Sequence, residues 1–175
     1  EHRAFGIPFP PLAERFDRLE EQLAIITGLW ATPPGQTFSF TGRHYRLEAN
    51  PAQVRPKQQP RPPVIVGGGG RPRTPRLAAR FADEFNIAFA PLADCRAAFD
   101  RVRAACTAID RDPATLRLSA ALTVCCGATD QEAGRRAEAV GRTPADLAET
   151  GVGGRPAEVA SPWPRGSPSV PTRST

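Results

Sequence analysis

Methionine is absent from the 175 residues of this chain, which opens at Glu1. A complete gene product normally keeps or implies a start, so we expect the chain to begin inside a larger protein. Lys57 is the only lysine, so the net charge of +5 comes almost entirely from arginine. Those arginines are interspersed with acidic residues, as in residues 14–21, which is typical of a solvated helix face and not of a basic nucleic-acid stripe. We therefore expect no nucleic-acid partner.

Long apolar runs and a signal-peptide pattern are also lacking, so we expect no membrane span. The cysteines have no C-x-x-C spacing, and the chain has only two histidines, so no zinc-ligand pattern is present. Free thiols are typical of a reducing compartment, so we expect a cytoplasmic protein. Because the ligand spacing is missing, we also expect no bound metal. No Ser-His-Asp or Cys-His arrangement can be assembled, and the catalytic residues therefore stay unknown. The cysteines are Cys95, Cys106, Cys125 and Cys126.

The most informative segment is residues 63–86, PVIVGGGGRPRTPRLAARFADEFN. The VIV run predicts a buried strand, four glycines follow it, and Thr74 before Pro75 predicts the N-cap and first turn of a helix. This arrangement binds phosphate, because glycine lets the backbone approach an anion and the first helical N–H groups are unpaired. A flexible turn is the alternative, since the spacing is neither G-x-G-x-x-G nor Walker-type. The candidate cofactor-binding residues are Gly67, Gly68, Gly69, Gly70 and Thr74.

Other charged residues in and after this segment are weaker candidates. Arg71 and Arg73 favour an anion, but arginine is common throughout the chain. Asp83 and Glu84 are adjacent at a helix end and face different directions, so a structural role is favoured over acid–base chemistry. Asn86 on the next strand is equally compatible with lining a pocket and with packing.

Apolar periodicity predicts helices alternating with strands along the rest of the chain, which indicates an α/β fold with parallel strands. A hairpin is expected around Gly42. Residues 1–160 form the predicted domain, and the proline- and serine-rich residues 161–175 resemble a disordered or frame-shifted tail. The predicted strands are residues 64–66, 85–89 and 116–126. The predicted helices are residues 12–30, residues 95–109 capped by Asp94, residues 130–140 with a Thr129–Glu132 capping box, and a short helix from Thr143.

Several segments, taken in order, resemble landmarks of the luciferase-like monooxygenase family, and most closely its deazaflavin branch, the coenzyme F420-dependent oxidoreductases. The first of these segments are EHRAFGIPFP at 1–10, ITGLW at 26–30, FSFTGRHY at 38–45, VIVGGGG at 64–70 and AARFADEFN at 78–86. Two later segments, RDPATLRLS at 111–119 and GVGGRPAEVA at 151–160, resemble further landmarks of the same branch.

The resemblance implies a partial (β/α)8 TIM-type barrel without its N-terminal strands, with the cofactor at the carboxyl ends of the strands. It implies an oxidoreductase or monooxygenase that moves a hydride or activates oxygen on a small organic substrate. The implied cofactor is coenzyme F420, with FMN as the alternative, and its phosphate end commonly meets the glycine loop. The half that normally supplies the ring pocket and proton-transfer residues is absent, so we expect this chain alone to be inactive.

Two other interpretations stay open: a non-catalytic phosphate- or nucleotide-binding α/β module, and a nonfunctional fragment. The substrate, the choice between F420 and FMN, and a homodimeric parent are also left open. Strand edges that a complete barrel would cover are exposed in half a barrel. We therefore expect the isolated chain to be aggregation-prone or partly molten.

Overall fold

The computed structural model describes residues 1–160, so the predicted tail, residues 161–175, lies outside the described residues. Short 3-10 turns cover His2–Phe5 and Pro113–Thr115. The described helices are α1 (Leu12–Ala31), α2 (Arg73–Phe81), α3 (Leu92–Thr107), α4 (Asp130–Ala139), α5 (Pro144–Thr150) and α6 (Pro156–Ala160). The described strands are β1 (Phe38–Thr41), β2 (Arg46–Asn50), β3 (Ile65–Gly67), β4 (Glu84–Ala88), β5 (Arg117–Ala121), β6 (Thr123–Cys126) and β7 (Gly151–Gly154).

The chain divides into two compact units: Glu1–Phe85 with Asp100–Leu118, and Asn86–Phe99 with Ser119–Thr175. The described strands form hydrogen-bonded sheets in the orders β1-β2, β3-β4-β5 and β6-β7. Along the chain, α2 separates β3 from β4 and α3 separates β4 from β5, so neighbouring strands are joined through helices. The predicted alternation of strand and helix is confirmed.

Helix α2 supplies much of the core of the first unit. The spacing of Leu77, Ala78, Phe81 and Ala82 predicts that they share one helical face. Leu77, Ala78 and Ala82 are buried, whereas Phe81 is only half-buried. In β3 the prediction of a fully buried strand is wrong: Val66 is buried, but Ile65 is 58% exposed. Successive strand side chains point to opposite faces, and only one face of β3 is covered in the described residues.

Helix α1 confirms the predicted helix at residues 12–30, but its apolar stripe is incompletely covered. None of its residues is buried. Leu12, Leu19 and Ile26 keep 60%, 38% and 40% of their surface exposed. The apolar face of α1 is therefore only partly covered by the other described residues.

The hairpin predicted around Gly42 is confirmed: β1 pairs antiparallel with β2. The carboxylate of Glu21 in α1 accepts backbone N–H bonds from Arg43 at 2.7 Å, His44 at 3.0 Å and Tyr45 at 2.9 Å. Burial raises the pKa of Glu21, but these bonds lower it, and the net pKa lies below its usual value. A Cβ at Gly42 would collide with this carboxylate, so the side-chain-free residue makes room for the anchor.

In the second unit, β6 and β7 pair in parallel, from Thr123 opposite Gly151 to Cys126 opposite Gly154. Cys125 of β6 packs with Ala137 of α4 and Leu147 of α5 in a small buried cluster. The short helix predicted from Thr143 is confirmed as α5. A capping box starts it, in which Thr143 and Asp146 exchange hydrogen bonds.

Three predicted details of the second half are wrong. The strand at residues 116–126 is split at Leu122, because β5 bonds to β4 whereas β6 pairs with β7. Helix α3 begins at Leu92, so Asp94 lies in its first turn and is not its N-cap; a carboxylate there still interacts favourably with the helix dipole. At α4, Thr129 accepts from the N–H of Glu132 as expected, but the carboxylate of Glu132 accepts from Ala128 and not from Thr129.

Candidate functional site

The glycine loop leaves β3 and leads to α2 as an exposed stretch of backbone. Gly68 has a backbone φ of +117°, a conformation that residues other than glycine rarely adopt. A Cβ added to Gly68 or Gly69 would meet no atom within 4 Å, so the space beside the loop is open. Outside helices and strands, no backbone hydrogen bond of the described residues involves Gly68, Gly69 or Gly70. The backbone of this loop is therefore exposed and uncrowded, as close approach to an anion requires.

Thr74 contacts this loop but does not cap the helix, so the N-cap prediction is wrong. Helix α2 begins two residues earlier than predicted, at Arg73, with Pro72 at the N-cap and no side-chain cap bond. Pro75 fits the first turn because its missing N–H is among those that have no helical partner. Thr74 is buried, and its Oγ1 lies 2.6 Å from where a Cβ of Gly70 would stand. Glycine at position 70 thus lets the threonine hydroxyl lie directly against the loop.

The two arginines that flank the loop differ in their surroundings. Arg71 is exposed beside the glycines. Arg73 is directed at α1, where it contacts Asp17 at 2.6 Å, donates to the carbonyl of Ala13 at 3.0 Å and lies over the ring of Phe16. Arg71 is therefore the better candidate to face an anion at the loop.

Asp83 has the structural role that the sequence favoured. Its carboxylate accepts hydrogen bonds from two guanidinium nitrogens of Arg61 and from the N–H of Val64 at 2.7 Å. Burial raises the pKa of Asp83, but the bonds from Arg61 and Val64 lower it, and the net pKa lies below its usual value. The carboxylate therefore fixes the segment before β3 to the start of β4.

Asn86 lies on the half-buried face of β4, opposite to the face of the buried Phe85 and Ile87. Its amide Nδ2 donates to the hydroxyl oxygen of Ser119 at 2.8 Å. The structure therefore brings together two polar side chains of neighbouring strands. Ser119 gave no signal in the sequence, because only the pairing of the strands places it beside Asn86.

Metal and membrane features give no further site within residues 1–160. No group of three or more His, Cys, Asp and Glu side chains in this range is arranged to hold a metal ion. No helix in the same range combines the length and hydropathy of a bilayer span. Neither the sequence nor the described structure therefore assigns a catalytic residue.

Comparisons with known proteins give a family match over nearly the whole chain. The family model described as luciferase-like monooxygenase matches residues 1–169. An F420-dependent glucose-6-phosphate dehydrogenase of Microbacterium testaceum (strain StLB037) is 35% identical over 80 residues, which cover 46% of this chain and 22% of that protein. An FMNH(2)-dependent dimethylsulfone monooxygenase of Pseudomonas putida is 31% identical over 104 residues, which cover 59% of this chain and 28% of that protein.

Solved structures show the fold. An F420-dependent secondary alcohol dehydrogenase in complex with an F420-acetone adduct matches with a TM-score of 0.72 and 15% identity, over 91% of this chain and 54% of that one. The predicted α/β fold, part of a luciferase-like barrel, is confirmed. The matches to the two curated relatives span about a quarter of the length of each.

Proposed function

We propose, from the premise that this chain belongs to the luciferase-like monooxygenase family, that it supplies the phosphate-binding part of a cofactor site in an oxidoreductase. The cofactor we propose is coenzyme F420, with FMN as the alternative. One relative is described as F420-dependent and another as FMNH(2)-dependent, which supports these two cofactors as the candidates. Family membership also argues against a nucleotide-binding module of unrelated fold.

The observation that carries this proposal is the exposed, uncrowded backbone of the glycine loop. Gly68 and Gly69 have open space beside them, and outside helices and strands no backbone hydrogen bond of the described residues involves residues 68–70. The first N–H groups of α2 add unpaired donors and the positive end of the helix dipole. These features fit the phosphate of either cofactor.

Each part of this segment has a distinct role in binding. The loop holds the phosphate through backbone N–H groups, and the exposed Arg71 adds positive charge beside them. Thr74, packed against Gly70, fixes the path of the chain between strand and helix. When bound, the cofactor supplies the hydride or oxygen chemistry, and this segment orients it by its phosphate end. The substrate would be a small molecule, and we propose that the chain alone is not a catalyst.

Cofactor titration of the full-length protein that contains this chain tests the proposal. Gly68→Val should weaken binding of F420 or FMN about tenfold or more, because the side chain blocks backbone approach and disfavours the positive φ. Gly141→Val is the matched control: Gly141 also has a positive φ of +68° and open space around it, but it lies between α4 and α5.

Both variants carry the same kind of backbone strain, so a difference in cofactor affinity reports on the loop alone. Equal affinity of Gly68→Val and the unaltered protein would show that the loop is only a turn. Binding of neither cofactor by the unaltered protein would contradict the proposed function.

A further inference from the structure

A cavity of about 590 Å3 lies among three helices of the first unit, and its volume is typical of small-molecule sites. Its lining comes from α1, α2, α3 and the two residues that follow α3. Within residues 1–160, no strand residue and no residue of the glycine loop lines it. The cavity is therefore separate from the proposed cofactor site. The sequence did not predict it, because its lining residues are far apart along the chain and share no motif.

Three arginines of α2 line one side of this cavity: Arg73, Arg76 and Arg80. They are three and four residues apart, so they lie on one face of the helix. Arg73 contacts Asp17 at 2.6 Å, and Arg80 contacts Glu20 at 3.0 Å. Arg76 makes no ion pair or side-chain hydrogen bond within residues 1–160. Two carboxylates thus compensate three guanidinium groups, and one positive charge is left over.

The part of the lining that comes from the end of α3 is apolar. Ala105, Ala108 and Ile109 line the cavity there, and Leu77 of α2 adds to the apolar surface. The short alanine side chains leave space that longer residues would fill. Ile109 keeps 52% of its surface exposed, so an apolar group placed against it would gain free energy by covering it.

The three walls of the cavity are joined to one another by hydrogen bonds. Arg111, which follows α3, donates from Nη1 to the carbonyl of Ala79 in α2 at 2.8 Å. Arg73 donates from α2 to the carbonyl of Ala13 in α1 at 3.0 Å, and Arg80 donates to the carboxylate of Glu20. The walls are thus held in place without a ligand, so binding needs little rearrangement.

We propose that this cavity binds an organic monocarboxylate with an apolar chain. The carboxylate would pair with Arg76, because a planar guanidinium can donate two parallel hydrogen bonds to it. The chain would lie along Leu77, Ala105 and Ile109. A single uncompensated arginine matches a single negative charge, which favours a monocarboxylate over a ligand with several charges.

Isothermal titration calorimetry of the full-length protein with octanoate tests the proposal. Hexanoate should bind several-fold more weakly than octanoate, because a shorter chain covers less apolar surface. Acetate and 1-octanol, which carry only the charge or only the chain, should each bind about tenfold more weakly or less. Failure of octanoate to bind, or equal affinity for octanoate and 1-octanol, would overturn the proposal.

Arginine variants locate the carboxylate. Arg76→Gln should weaken octanoate binding about tenfold, and Arg76→Lys should weaken it less, because lysine keeps the charge without the planar fork. Arg96→Gln is the matched control: Arg96 is also an exposed helical arginine without a partner within residues 1–160, but it does not line this cavity. Equal octanoate affinity in the two glutamine variants would contradict the assignment.

A second pair of variants locates the chain. Ala105→Leu fills the cavity and should abolish octanoate binding, with the fold checked by circular dichroism. Ile26→Gln, on the partly exposed apolar face of α1 and outside the cavity lining, should leave the affinity unchanged. Binding that is lost in Ile26→Gln and kept in Ala105→Leu would place the ligand on α1 and overturn the proposal.

This proposal and the proposed function fail in different ways. Saturating F420 or FMN should leave octanoate affinity unchanged, because no residue of the glycine loop lines the cavity. Displacement of octanoate by either cofactor would overturn the assignment of a separate site. Octanoate binding in a protein that takes up neither cofactor would support the cavity proposal and contradict the proposed function.

Discussion

Asp83 shows how a single carboxylate can make stability depend on pH. Its pKa in the folded protein lies below the usual 3.8, so its contribution to the free energy of unfolding is complete above about pH 5 and is lost as pH falls below 3.8, through the lower pKa of the folded state. Asp83→Asn removes this ionisation. We expect the variant to be less stable at pH 7 and to lose less stability than the unaltered chain between about pH 5 and pH 3.

Urea unfolding at several pH values measures this difference. Asp100→Asn is the control, because within residues 1–160 Asp100 is paired with Arg103 alone, in an exposed ion pair one turn away on the same helix. A pH dependence as steep in Asp83→Asn as in the unaltered chain would show that another group dominates acid unfolding.

At the scale of elements, α5 depends on its start. It spans only seven residues, and Thr143 and Asp146 satisfy its first N–H groups reciprocally. Thr143→Ala should therefore lower the free energy of unfolding by about 1 kcal/mol. Thr107→Ala, which removes a bond to the carbonyl of Arg103 and no cap, should cost little in the same urea unfolding measurement. Similar losses in the two variants would contradict a capping role.

The sequence predicted the elements that have strong local signals. The periodic apolar residues of α1, the Thr143–Pro144 pair and the turn around Gly42 were enough to locate a helix, a helix start and a hairpin. The break at Leu122 could not be predicted, because it follows from which strand each half bonds to. Local pattern predicts elements well, but pairing depends on residues distant in the chain.

The same limit applies to the candidate site. The four glycines indicated an anion-binding loop because their chemistry is local. The direction of Arg73 depends on Asp17 and Phe16, which lie more than fifty residues earlier in the chain.

For the whole molecule, the exposed apolar surface of α1 predicts self-association. Leu19 and Ile26 are 38% and 40% exposed on a helix with no buried residue. Burying such surface is favourable by about 25 cal/mol per Å2, so isolated chains should associate through it. We expect Leu19→Gln with Ile26→Gln to reduce association in analytical ultracentrifugation, whereas Glu20→Gln should not. Unchanged association in the double variant would assign the aggregation to another surface.

The contact between Glu21 and Gly42 has an evolutionary consequence. The carboxylate of Glu21 and the ring of Phe40 both occupy the space that a side chain at position 42 would need, so Gly42 cannot be replaced freely while they are kept. A mutation that shortens position 21 removes one of the two obstacles, so alanine or serine should become acceptable at position 42 where the ring at position 40 also shifts or is smaller, and a glutamate regained at 21 should select for glycine again. Among homologues that keep this hairpin, we expect the two positions to vary together.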